Sequence, residues 1–135
     1  MQVDGRCHCG QITFQAEVDP ETVSVCHCVD CQRLGGTPFR VNVRTTAAGF
    51  SFRGEPKTFV KVAESGNRVR HALCGDCGTP IYSSAVENPT VYNLRIGAIE
   101  QRAALVPKRQ GWRRSAFMWV DDLKVLPASE KAWNH

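Results

Sequence analysis

The sequence predicts a mostly β fold whose turns carry metal ligands. Three observations predict it. Short segments alternate apolar and polar residues, the period of a half-buried strand. Polar turns rich in Gly, Asn and Pro separate those segments. Seven cysteines fall into three tight clusters, a spacing that fits metal ligation better than a disulfide framework.

Taken in order, residues 11–17 place Ile12, Phe14 and Ala16 on one face of a strand. Residues 39–43 do the same with Phe39, Val41 and Val43. Residues 57–63 and 68–73 flank Glu64-Ser65-Gly66-Asn67, a turn of hairpin type. Residues 81–84 and 91–96 flank a turn signalled by Glu87-Asn88-Pro89. Residues 28–34 have room for one or two helical turns, stopped by Gly35-Gly36. No sustained helical period precedes the last third, and residues 97–135 give no clear assignment.

The chain has 135 residues, the size of one domain with a modest core. A single domain over 1–135 is expected. No stretch approaches the roughly 20 apolar residues of a membrane span. Met1 to Arg6 contain no apolar run, so no secretory signal is expected. That points to the cytoplasm, where thiols stay reduced; the odd cysteine count also argues against full pairing. The formal charge is +4, which invites a nucleic-acid reading. Seven thiolates subtract seven charges and two divalent ions return four, so the excess falls to about +1. The remaining Lys and Arg are dispersed except at Lys108-Arg109 and Arg113-Arg114. No nucleic-acid or membrane partner is expected.

Cys74-Gly75-Asp76-Cys77-Gly78 has the form of a zinc knuckle. Two intervening residues let both sulfurs meet one ion, and the following glycine tolerates a left-handed backbone. Cys7-His8-Cys9-Gly10 can add two sulfurs, because residues two apart on an extended segment point the same way. Cys7, Cys9, Cys74 and Cys77 would then complete a tetrahedral site that staples the N-terminus to a distant hairpin. The bland alternative is that some of these thiols are small buried hydrophobes. Cys26, Cys28 and Cys31 offer three sulfurs within six residues. An ion there keeps one open position for water, a substrate thiol or a local side chain, His27 or Asp30 being candidates. For His27, packing or outer hydrogen bonding is the competing role. A metal held by three soft ligands binds an incoming thiol and lowers its pKa. A second purely structural ion is the alternative. Spacing alone also allows Cys26 and Cys28 to share an ion with Cys74 and Cys77.

These clusters, in this order, resemble the glutathione-dependent formaldehyde-activating enzyme family. The resemblance is carried by residues 5–10, 26–33, Gly36, Pro38-Phe39, residues 74–82 and Gly97-Ala98-Ile99. It implies coiled antiparallel β-sheets with zinc knuckles, similar to B-type methionine sulfoxide reductases. It implies a structural zinc at Cys7, Cys9, Cys74 and Cys77, and a second zinc at Cys26, Cys28 and Cys31 where glutathione chemistry occurs. That pairing resolves the ambiguity which spacing leaves. Relatives commonly carry Pro-x-x-His before a Trp. Here Pro107-Lys108-Arg109-Gln110-Gly111-Trp112 places Gln110 at the histidine's position, and Gln cannot titrate near neutral pH.

The expected function is that of a zinc-dependent carbon–sulfur lyase or synthase, joining glutathione or a related thiol to formaldehyde or another small aldehyde. Arg33 and Arg40 are the expected carboxylate partners of the thiol cofactor, since a guanidinium matches a carboxylate bidentately. Solvated surface arginines are their competing reading. Two rival functions stand beside it: a non-catalytic zinc-stabilised binding module, and thiol–disulfide redox chemistry at Cys28 and Cys31.

Overall fold

The computed structural model describes residues 1–133; the last two residues of the domain expected over 1–135 lie outside the described residues. The chain forms β1 (Gln2–Arg6), β2 (Thr13–Cys26), α1 (Val29–Gly35), β3 (Arg40–Arg53), β4 (Lys57–Val62), β5 (Arg68–Leu73), β6 (Pro80–Ala85), β7 (Val91–Arg95) and β8 (Arg109–Gly111). Short 3-10 turns between Ile96 and Val125 take up much of the last third.

The expected mostly β architecture is present, and its strands outrun the alternating segments. β2 continues past Glu17 to Cys26 because its pairing with β3 shifts register at Ala16/Val18 and again at Asp19/Ser24. Pro20 sits within that second irregularity, where a missing N–H costs no ladder bond. β3 likewise continues to Arg53 through a polar, Thr-containing stretch. Buried Thr45 is satisfied there by donating its hydroxyl to the Glu17 carbonyl at 2.6 Å. β1 has only Val3 as a large apolar residue, too little to announce a strand, yet it pairs with β2 over its whole length.

The helix falls where the sequence placed it. Cys28 is its N-cap, accepting a hydrogen bond from the Cys31 backbone N–H, and Gly36 ends it in the left-handed region at φ +64°.

All strands join one sheet in the order β1-β2-β3-β7-β6-β5-β4, and β8 pairs with β2 in parallel. The other pairings are antiparallel. Val3, Phe14, Val18, Val43, Ile81 and Leu94 supply buried side chains from β1, β2, β3, β6 and β7 to one core, and Ile12, Ile99 and Leu105 close its end. Phe50 binds that core to an aromatic cluster, with ring centroids 5.8 Å from Phe14, 5.6 Å from Tyr82 and 5.1 Å from Tyr92. β4 lies at the opposite margin from β1, and Phe59 and Val62 on it remain exposed.

Gly5 faces Phe14 across the β1–β2 pair. A Cβ there would lie 2.0 Å from Phe14 Cζ, so the ring rests directly on the glycine. Gly5→Ala should therefore cost about 1–3 kcal/mol of stability by overpacking, read as a lower thermal midpoint. An unchanged midpoint would mean that Phe14 does not depend on this contact.

Candidate metal centres

Both knuckle turns are built by the backbone. The Gly78 N–H donates to the Cys74 carbonyl at 2.8 Å, and the Cys74 N–H to the Thr79 carbonyl at 2.9 Å. Gly78 takes φ +80° and Gly10 takes φ +84°, a conformation that favours glycine. In the first turn the Ile12 N–H donates to Cys7 Sγ at 3.2 Å. Backbone donors aimed at sulfur favour the thiolate that metal binding needs.

The structure brings Cys7, Cys9, Cys74 and Cys77 together with every sulfur within 4.8 Å of the others. Cys7 and Cys74 are fully buried. Cys9 Sγ lies 3.6 Å from Cys7 Sγ and 3.7 Å from Cys74 Sγ. A tetrahedron with the usual Zn–S length of about 2.3 Å has edges of about 3.8 Å, so the sulfurs already fit a tetrahedral ion. β1 and the β5–β6 turn lie far apart in strand order. The sheet must roll for these sulfurs to meet.

Cys26, Cys28 and Cys31 form a separate group, again within 4.8 Å, and each is half-buried. Cys26 ends β2, Cys28 caps α1, and Cys31 lies in the helix's first turn. Cys26 is held down to about 5, first by its hydrogen bond with Cys31, while burial opposes. Cys31 is pushed up by the same bond, by burial and by Cys28. The triplet thus shares its protons: one thiolate forms readily and the next is resisted by like charge. A cation removes that resistance. Both cysteine groups could hold a metal ion, and all seven cysteines are free thiols.

The two local candidates for a further ligand are engaged elsewhere. Asp30 pairs with Lys61 of β4. His27 is 1% exposed, packs edge-on against Phe39 and makes a 2.8 Å hydrogen bond to Gln110 Oε1. Arg113 donates to the same oxygen at 3.3 Å, so Oε1 is the acceptor and His27 Nε2–H the donor.

Arg33 and Arg40 are not brought together. Arg33 is exposed and lines an open groove with Gln32 and Phe117, whereas Arg40 is 7% exposed and lines a cavity under α1. Arg40 is the cross-strand partner of Cys26. Sequence reasoning missed Arg95 and His71, which line the same cavity from β7 and β5. No local signal marks either; only the β3–β7–β6–β5 order brings them beside Arg40.

A model of the glutathione-dependent formaldehyde-activating enzyme family matches residues 2–115. This chain belongs to that family. A crystal structure of a Rhodobacter sphaeroides protein, a structural-genomics target, is 20% identical with a TM-score of 0.61, covering 79% of this chain and 98% of its own. At that identity the likeness speaks for the fold. No curated protein matches the chain. Family membership gives the two sulfur clusters a chemical context of glutathione and formaldehyde. Gln110 accepts the hydrogen bond of a buried histidine that sits between Cys26 and Cys28.

Two predictions follow from this geometry. Cys74→Ser should lower both metal content and thermal midpoint, since a metal closed in by four thiolates contributes on the order of 10 kcal/mol against a net stability of about 5–15 kcal/mol. Cys28→Ser should lose metal from the triplet and stay folded. Equal collapse of both variants would refute separate roles. Gln110→Ala should leave the buried His27 N–H without its acceptor and cost about 1–3 kcal/mol, measured by urea unfolding. A change within error would show that solvent replaces the amide.

Proposed function

We propose that this protein is a single zinc-binding domain that joins a thiol of the glutathione type to formaldehyde or another small aldehyde, as a carbon–sulfur lyase acting reversibly. The observation that carries the reading is the three-sulfur group at Cys26, Cys28 and Cys31, half-buried and separate from the four-sulfur group. Four sulfurs complete a tetrahedral coordination shell, while three leave a position for substrate. Zinc is the proposed ion because all-thiolate, redox-inert tetrahedral sites suit it. Family membership also supports kinship of the fold with B-type methionine sulfoxide reductases.

Zinc, when bound, acts as a Lewis acid that lowers the pKa of an incoming thiol. The chain's residues do the rest. Cys26, Cys28 and Cys31 would hold the ion with one position facing substrate. Gln32 clamps the loop that carries them, its Nε2 donating to the His27 carbonyl at 3.0 Å and the Ser115 carbonyl at 3.1 Å. Arg40 and Arg95 supply positive charge beside the sulfurs. The thiol sulfur attacks the carbonyl carbon, a C–S bond forms, the C=O π bond opens, and the thiol proton ends on the new hydroxyl by way of solvent. Arg33 is proposed to meet a carboxylate of the thiol cofactor on the exposed face of α1. Reduced thiols and a small-molecule reaction fit a cytoplasmic setting. No helix among the described residues is long and apolar enough to cross a membrane.

Glutathione should bind the metal-loaded protein with release of about one proton, because the sulfur must ionise to ligate. Affinity should rise with pH until the free thiol itself ionises, and vanish in Cys28→Ser. Calorimetry in two buffers of different ionisation enthalpy counts the proton. Absence of binding would remove the reading and leave a zinc-stabilised binding module.

A further inference from the structure

We propose that the cavity beneath α1 is a carboxylate site. On the thiol-addition reading above, its ligand is the acid group of the carbonyl substrate, a small 2-oxo acid of the glyoxylate kind. The cavity is about 110 Å³, well below the roughly 300–1,000 Å³ that encloses a drug-sized ligand. It admits a molecule of a few heavy atoms and excludes a tripeptide. A more spacious groove of about 650 Å³ over β1, β2 and β3 is lined by neither Arg40 nor Arg95, the arginines in the field of the triplet.

The walls of the small cavity carry two buried cations and no carboxylate. Arg40 and Arg95 are each 7% exposed. Neither forms an ion pair among the described residues, and Arg40 makes no side-chain hydrogen bond there. Its guanidinium lies under the end of α1, with Nε and Nη2 each 3.4 Å from where a Gly35 Cβ would stand. Arg95 uses Nη1 on Asn42 Oδ1 at 2.6 Å and Nη2 on His71 Nδ1 at 3.1 Å. An arginine only donates, so His71 Nδ1 accepts and the ring's proton sits on Nε2. That Nε2 is sealed from solvent and has no partner. Burial, followed by Arg95 and Arg40, holds His71 down to about 4, which keeps it neutral at pH 7.

Two buried arginines and His71 line a cavity that also carries Leu34, Phe59 and Tyr82. Buried charge is retained where it meets opposite charge, and a planar guanidinium matches a carboxylate in a two-point fork. Formaldehyde can accept a hydrogen bond through its carbonyl oxygen but has no carboxylate to pair with a guanidinium. A 2-oxo acid does, and its carbonyl is directly bonded to the carboxylate. Arg40 pairs across strands with Cys26 and lies within the field of Cys26, Cys28 and Cys31, so an acid group held by Arg40 would sit in the triplet's neighbourhood. The balanced reaction is addition: thiol and aldehydic acid give a 2-hydroxy-2-thioether acid. One C–S bond forms, one C=O π bond is lost, and the thiol proton moves to oxygen, with no oxidant or reductant.

The rival use of the arginines is neutralisation of the thiolates, whose field reaches both guanidinium groups. Calorimetric titration of the full metal-loaded chain separates the two. Glyoxylate should bind at least tenfold more tightly than glycolaldehyde, its uncharged analogue, and acetate should displace it. Arg95→Gln should bring the ratio of the two affinities close to one. Should that variant fail to fold, acetate displacement in the wild-type chain decides alone. Equal glyoxylate and glycolaldehyde affinities in the wild type would overturn the proposal, and metal loss in Arg95→Gln would then assign the arginines to the thiolates. Glutathione binding tenfold tighter than cysteamine, with no effect of glyoxylate on either, would overturn it by giving the carboxylate to the thiol. Adduct formation between glutathione and formaldehyde, followed by NMR, reports on the underlying reading separately. Adduct without glyoxylate selectivity sinks this proposal only. Glyoxylate selectivity without any adduct supports the carboxylate site and removes thiol addition.

Discussion

Four sulfurs meeting where a rolled sheet closes on itself is the constraint that the remaining structure serves. Cys7 and Cys9 leave β1 at one margin of the sheet, and Cys74 and Cys77 lie in the turn between β5 and β6, near the other. Thiolates this close repel, and thiols this close share protons unfavourably. An ion held by the four sulfurs would turn the repulsion into a joint. Apolar contacts also draw the margins together, since Val3, Ile12, Ile81 and Ile99 are all buried in one core. The joint adds what a core of this size cannot supply easily: a fixed register for the N-terminal strand, tied to a turn far along the chain. Gly5 under the Phe14 ring and the bridge between Gly5 and Ile99 hold the same strand from its other side.

The second cluster sits in a different field. Three thiolates and one divalent cation carry a net charge of −1. Arg40 and Arg95, beside them, more than compensate, even though burial and Arg40 bring Arg95 down to about 9. The pocket therefore remains positive at neutral pH once the proposed ion is in place. An anion entering that region is favoured, and one thiolate brings the net charge to zero. Two arginines placed without carboxylate partners suit a reaction whose substrates bring the negative charge with them.

The cysteine clusters and the helix stop were legible because they are local, whereas which clusters share an ion was left open by spacing and came only from the family resemblance. Cys-x-x-Cys followed by Gly78 and the Gly35-Gly36 stop each encode a turn within a few residues. The strand cores at Phe14 and Val43 were legible from alternation. The lengths of β2 and β3 were not, because pairing continues through bulges where alternation fails. β1 was hidden because Gln2–Arg6 offers one large apolar residue, and its strand identity comes from its partner. Arg40 could be named from sequence as a charged group after the triplet. Its burial, and its company with Arg95 and His71, depend on β7 being inserted next to β3, a crossover that no segment of the sequence announces.

Gln110 shows the same limit from the other side. Read as a replacement for a titrating histidine, it signals a loss. In the structure its Oε1 accepts from His27 Nε2 and from Arg113, which in turn pairs with Asp121 at 2.7 Å. The chain of bonds ties the loop bearing Cys26 and Cys28 to the segment after β8. A glutamine carbonyl accepts at any pH, whereas an imidazole in that place would accept only when unprotonated, beside a permanent cation. The glutamine thus keeps a proton on His27 Nε2, and the buried Nδ1 has no hydrogen-bond partner among the described residues. Gln110 has no proton to exchange near neutral pH, so residue 110 does not supply the proton that completes the proposed addition, and solvent is the proposed source. The pH dependence of the reaction then reports the ionisation of the attacking thiol and not that of residue 110.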